Sequence, residues 1–77
     1  MGDVQRHRNL LEIIAANVRA VRSARGMTQE KLGQACGYSR VYVGDIERGS
    51  ANITIQTLQA LADALDLDPR ELLNPPA

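Results

Sequence analysis

Apolar residues recur at helical spacing through most of the 77-residue chain. Leu11, Ile14, Val18 and Val21 fall three or four apart, which marks one face of a helix. The pattern predicts a first helix over residues 10 to 25, closed by Gly26, with Asn17, Arg19 and Arg22 beside or opposite the apolar face. Thr28 can cap a second helix over 29 to 35, with Leu32 and Ala35 inward and Gly37 ending it in the left-handed conformation. Ser39 can cap a third, whose inner face carries Val43 and Ile46 and which Gly49 stops. Thr54 can cap a fourth, with Leu58, Leu61, Ala62 and Leu65 as its stripe. In DPRELL, Asp68 is the cap, Pro69 the first helical residue and Glu71 the second half of a capping box; Asn74-Pro75-Pro76 ends this fifth helix. With short connections and no repeat or low-complexity tract, the expectation is a compact all-α fold of five helices in one domain over 1–77.

Composition sharpens this. Nine leucines and ten alanines, with no phenylalanine or tryptophan, favour closely packed helices over a sheet. The single cysteine, Cys36, excludes a disulfide within the chain and reads as a small buried hydrophobe. The apolar stretches are too short to span a membrane and no secretory signal is visible, so a cytoplasmic protein is expected. Net charge is zero but unevenly spread. Residues 1–50 carry eight Lys/Arg against five Asp/Glu, 8 − 5 = +3, and residues 51–77 carry one against four, 1 − 4 = −3. Such a chain can offer one face to phosphate and keep the other solvated.

The second and third helices are separated by only Cys36, Gly37 and Tyr38, which sets them at a steep angle and requires a small contact residue; Gly33 stands where they meet. The stretch TQEKLGQACGYSRVYVGDIERG resembles the helix-turn-helix of the phage-repressor-like (lambda repressor/Cro, XRE-type) DNA-binding family, with Gln29, Leu32, Gly33, Gly37, Val43, Ile46 and Glu47 on matching positions. The resemblance spans residues 10 to 73, places the helix-turn-helix at about 28–48 and helices four and five at about 54–74, and differs at Gly33, where the family usually has alanine. Within the family, SRVYVGDIERGSANIT is most similar to restriction–modification controller proteins and related small regulators.

The resemblance implies a regulator that reads double-stranded DNA through the major groove with its third helix; binding as a homodimer to a symmetric operator is expected because a domain this small covers one half-site. With Val43 and Ile46 inward, Ser39, Arg40, Val41, Gly44 and Asp45 lie outward. Arg40 can offer a bidentate pair to guanine and Val41 can meet a thymine methyl. Gly44 costs about 1 kcal/mol of helix propensity relative to alanine, which fits either seating in the groove or packing on a neighbouring helix. Asp45 can accept from cytosine, penalise wrong sequences or, most plainly, pair with Arg48. Tyr42 is open between a phosphate-bonding hydroxyl and a ring at the core edge. Thr28 and Gln29 open the second helix, where free amides favour a phosphate; the family position matching Gln29 contacts the DNA backbone. Lys31 and Arg48 can add charge. The family also implies an ion pair between Arg22 and Glu47, a structural role rather than a DNA contact.

Catalysis fails on inventory. His7 is the sole histidine, no acid pair falls in an evident cleft, and no glycine-rich phosphate loop follows a strand. Neither metal nor cofactor is expected. The rival reading is an antitoxin or phage-type repressor of the same fold that also binds a protein partner. One domain this small covers one half-site, and Ile53, Ile55, Leu67, Leu72 and Leu73 are the candidates for a dimer seam, although some of them must close the core.

Overall fold

Each helix begins where a short polar side chain can take a free backbone amide. The computed structural model describes residues 9–76, in which the chain runs through α1 (Leu10–Ala24), α2 (Gln29–Cys36), α3 (Arg40–Glu47), α4 (Ile55–Ala64) and a 3-10 helix, Pro69–Leu73. The side chain of Asn9 accepts from the Leu11 amide at 2.8 Å, Thr28 from Lys31 at 3.0 Å, Ser39 from Tyr42 at 3.0 Å and Thr54 from Thr57 at 3.1 Å. Asp68 accepts from the Arg70 amide at 2.9 Å while Glu71 takes the Asp68 amide at 3.2 Å, which completes the capping box. The Arg70 side chain, helped by that amide, holds the Asp68 carboxyl at about 2, below the ordinary carboxylate value.

One apolar cluster joins all five elements: Ile14 and Val18 from α1, Leu32 from α2, Val43 and Ile46 from α3, Leu58, Leu61 and Ala62 from α4, and Leu65 and Leu72 beyond it. Leu32, Leu61, Leu65 and Leu72 are fully buried.

Three expectations change. The fifth helix is a five-residue 3-10 helix rather than an α-helix. Pro69 and Asn74-Pro75 leave too little chain for repeated α-turns, and the Asn17 side-chain amide of α1 takes the Leu72 and Asn74 carbonyls at 2.9 and 2.7 Å. Ala35 is exposed, not inward. Leu32, Gly33 and Cys36 form the inner stripe of α2, which runs one residue further than expected. Cys36 itself is half-buried, with its thiol near the Ala60 carbonyl at 3.7 Å, and burial raises its pKa.

The α2–α3 turn is therefore Gly37, Tyr38 and Ser39. Gly37 has φ +83°, a conformation that side chains other than glycine resist. The amides of Gly37 and Tyr38 both donate to the Gly33 carbonyl at 2.8 Å, so the turn folds back onto α2. A Cβ on Gly33 would stand 2.5 Å from the Tyr38 carbonyl oxygen. The obstacle is backbone, and the Tyr38 hydroxyl ties that backbone to Thr57 of α4 at 3.2 Å. Gly33→Ala is expected to lower stability although alanine is the better helix former. Overpacking costs about 1–3 kcal/mol, against about 1 kcal/mol gained in propensity. Urea unfolding checks this; an unchanged or raised midpoint would show that the turn yields freely.

Candidate nucleic-acid interface

The outward face of α3 begins with three exposed residues in a row, Ser39, Arg40 and Val41, the last 62% exposed. Arg40 forms no ion pair among the described residues, so its planar fork of donors is free at the amino-terminal end of the helix. Tyr42 is half-buried, with its ring edge-on to Tyr38 at 5.2 Å and its hydroxyl 3.5 Å from the Asn52 carbonyl. Thr28 is exposed and its hydroxyl caps α2, whose first residue, Gln29, brings its side-chain amide beside Gly44 of this face; Lys31 is exposed.

Behind the face lies Glu47, 3% exposed. Its carboxylate accepts from Arg22 Nε at 2.6 Å, Arg22 Nη2 at 3.1 Å and Gln29 Nε2 at 3.1 Å. Arg22 donates further to the Met27 carbonyl at 2.7 Å. The hydrogen bond to Glu47 outweighs desolvation and raises the Arg22 pKa above its ordinary value. The Glu47 carbonyl in turn accepts from Arg19 Nη1 at 2.8 Å, a cation at the carboxyl-terminal end of α3, where the helix dipole favours one. One glutamate thus locks α1, the start of α2 and the end of α3 together. The links from Gln29 and Arg19 to this glutamate are absent from the sequence pattern, because no periodicity reports which long side chain crosses to another helix.

Gly44 differs from expectation in one respect. It is buried, not open: a Cβ there would meet Arg48 Nη1 at 3.3 Å and Gln29 Oε1 at 3.7 Å. Arg48 folds back over it and pairs with Asp45.

Two short helices joined by a tight turn, the second with its first turn exposed, form a helix-turn-helix. The HTH_3 helix-turn-helix family matches over residues 18–72. The chain belongs to this family. It is 40% identical over 65 residues to the control protein C.SmaI of Serratia marcescens, covering 84% of this chain and 77% of that protein. The restriction–modification controller protein C.AhdI of Aeromonas hydrophila superposes with a TM-score of 0.78 at 42% identity, covering 80% of this chain and 94% of that one. The P22 c2 repressor, solved in complex with a synthetic operator, gives a TM-score of 0.75 at 30% identity, covering 82% and 96%. This HTH_3 chain is a DNA-binding transcription regulator that resembles controller proteins, and its family is one of regulators rather than enzymes. Among the described residues no His/Cys/Asp/Glu group could hold a metal, and no helix is long and apolar enough to cross a membrane. His7 lies outside the described residues.

The five seam candidates divide. Leu72 is fully buried in the core and is not available to a partner, and Leu67 is half-buried against the core. Ile53, Ile55 and Leu73 instead line an open apolar cleft of about 370 Å³, with Leu10, Leu11, Ile14 and Leu58. Ile55 is 80% exposed and Leu10 53%. No residue of α2 or α3 contributes to this cleft.

Proposed function

We propose that the chain is a controller-type regulator of a restriction–modification system that binds a symmetric operator as a homodimer, with α3 in the major groove of each half-site. The observation that carries the reading is the exposed Arg40 at the first turn of α3, without an ion pair among the described residues, beside exposed Val41. A helix about 10–12 Å across fits a major groove about 12 Å wide and presents its amino-terminal residues to base edges. Arg40 is the guanine reader and Val41 the partner of a thymine methyl. Ser39, Tyr42, Thr28 and Gln29 hold the phosphate backbone, the last two where the amides and dipole of α2 favour an anion. Arg48 and Asp45 complete the face. The apolar cleft takes the second copy. It lies on elements other than α2 and α3, and one domain of this size reaches a single half-site. Similarity to C.SmaI and C.AhdI supports the controller role. Finding a methyltransferase and an endonuclease gene beside this reading frame would agree with it, whereas finding a toxin gene there would favour the antitoxin reading.

Selection of sites from random duplex DNA is the test. Arg40→Ala is expected to cost about 1–3 kcal/mol per half-site and to relax preference at one guanine. Gln29→Ala is expected to weaken binding across all sequences alike, because phosphate contacts position without reading bases. If Arg40→Ala enriches the same operator with the same guanine, Arg40 does not read that base.

A further inference from the structure

The carboxyl-terminal half of α3 holds an arrangement that a simple seat in the groove does not require. Arg48 is the residue that ends the helix, where a side chain running outward would sit at the helix edge. Side chains on a helix lean toward its amino terminus, over the residue four before. Here that residue is Gly44, and the Arg48 guanidinium fills the space: Nη1 lies 3.3 Å from where a Gly44 Cβ would be. Arg48 Nη2 donates to Asp45 Oδ1. On the far side of Gly44 the Gln29 amide is fixed, because its Nε2 donates to buried Glu47. The backbone at Asp45 is fixed as well, its carbonyl accepting from the Ser50 amide at 3.0 Å and the Ser50 hydroxyl at 3.2 Å. The guanidinium therefore lies mid-face, with a carboxylate setting its orientation. Its side chain is still 65% exposed, and it makes no other ion pair among the described residues.

An exposed pair of this kind adds little stability, so its consequence is geometric. Building on the proposed reading of DNA by α3, we propose that Arg48 is a second base-reading side chain, aimed by Asp45 as a positioning residue and accommodated by the missing side chain of Gly44. A bidentate guanidinium needs a defined plane to meet guanine O6 and N7, and the hydrogen bond from Nη2 to the Asp45 carboxylate restrains it. The guanidinium lies level with Gly44, in the carboxyl-terminal half of α3, whereas Arg40 stands at the first residue of the helix. The Arg48-dependent position is therefore distinct from the Arg40-dependent one. Gly44 thus serves its own protein's arginine rather than close approach of the DNA.

The experiment selects sites from random duplex DNA with the full chain and with Arg48→Ala, Gly44→Ala, Asp45→Asn and the Gly44→Ala/Arg48→Ala pair. It also measures each variant's melting temperature and its affinity for the wild-type site. Gly44→Ala keeps the fold, since the tight contact it makes is with the far end of the flexible Arg48 side chain, which has to shift, and alanine is the better helix former. Arg48→Ala and Gly44→Ala are expected to lose preference about tenfold at one shared position, distinct from that lost in Arg40→Ala. Asp45→Asn broadens the same position, and the double variant is no worse than Arg48→Ala alone. Three results overturn the proposal. Arg48→Ala must not retain the wild-type site while binding all sequences more weakly, since that would make Arg48 a phosphate contact. Gly44→Ala in the Arg48→Ala background must not weaken binding further, since that would make Gly44 a groove-seating residue. Asp45→Asn must not leave the site as sharp as wild type. If the wild-type chain enriches no sequence, the reading of DNA by α3 fails and this inference with it. If Arg40→Ala relaxes one base while Arg48→Ala relaxes none, only this inference fails.

Discussion

Glu47→Gln is expected to lower the melting temperature by more than about 10 °C. A truly buried ion pair broken from one side costs about 3–5 kcal/mol, and in a domain of this size each kcal/mol is about 4–8 °C. Glu47 is 3% exposed and the Arg22 side chain 17%, so the effect falls toward the lower end of that range. Glutamine keeps the shape but replaces one acceptor oxygen with a donor. Arg22 and Gln29 both donate to Oε1, and Arg22 donates to Oε2 as well. Whichever oxygen is replaced, a donor meets a donor and the Arg22 charge loses its counterion. Gln29 shares this anchor, so the variant is also expected to bind operator more weakly at temperatures where it is folded. Thermal unfolding followed by circular dichroism, with operator titration well below the midpoint, separates the two effects. A melting temperature equal to wild type would mean that solvent or another group replaces the lost oxygen. The double replacement Arg22→Met/Glu47→Leu is expected to recover much of the loss, because removing both charges leaves no uncompensated one.

What the sequence discloses and what it conceals follow from the range of each interaction. The caps Thr28, Ser39, Thr54 and Asp68 act over two or three residues, so a short polar residue before an apolar period suffices to mark them. The helix-turn-helix is legible because Gly33 and Gly37 answer to one local constraint, a turn that folds back on its own helix. The end of α4 carries no such mark. Asp66 takes the left-handed conformation at φ 58° without glycine, while the Leu67 amide returns to the Ala62 carbonyl at 3.0 Å. The inner position of α2 fell to Cys36 rather than Ala35, both small and apolar and only one residue apart. Contacts made across 28 and 55 residues, Arg19 to Glu47 and Asn17 to Leu72, depend on how the helices cross. The same holds for the face of α3. Exposure of Arg40 and Val41 follows from the positions of Val43 and Ile46, whereas the cover over Gly44 depends on the rotamer of an arginine four residues on.

The apolar residues after α3 were equivalent in sequence and are not equivalent in space, which yields opposite expectations for two of them. Leu72 is fully buried: it fills the core from the 3-10 helix, which Asn17 holds against α1. Leu72→Ala is expected to cost about 2–5 kcal/mol, the transfer term plus the cavity left behind, a large share of the stability of so small a domain. Ile55 is 80% exposed at the first turn of α4 and borders the apolar cleft. Ile55→Glu removes nothing from the core and places an acid in the first turn of a helix, where the dipole favours it. The isolated fold should therefore keep its stability, while a second copy seated on the cleft would have to bury an unpaired carboxylate. Sedimentation of the wild type at micromolar concentration is expected to show a dimer, and Ile55→Glu only the 8.4 kDa species. Chemical unfolding of that monomer gives its own midpoint, against which Leu72→Ala in the same background is read. A wild type that sediments at 8.4 kDa both free and on operator DNA would refute the dimer. A dimer that persists in Ile55→Glu would place its seam away from the cleft. A Leu72→Ala chain as stable as its parent would mean that the 3-10 helix contributes little to the core, and the folded unit would then end near Leu65.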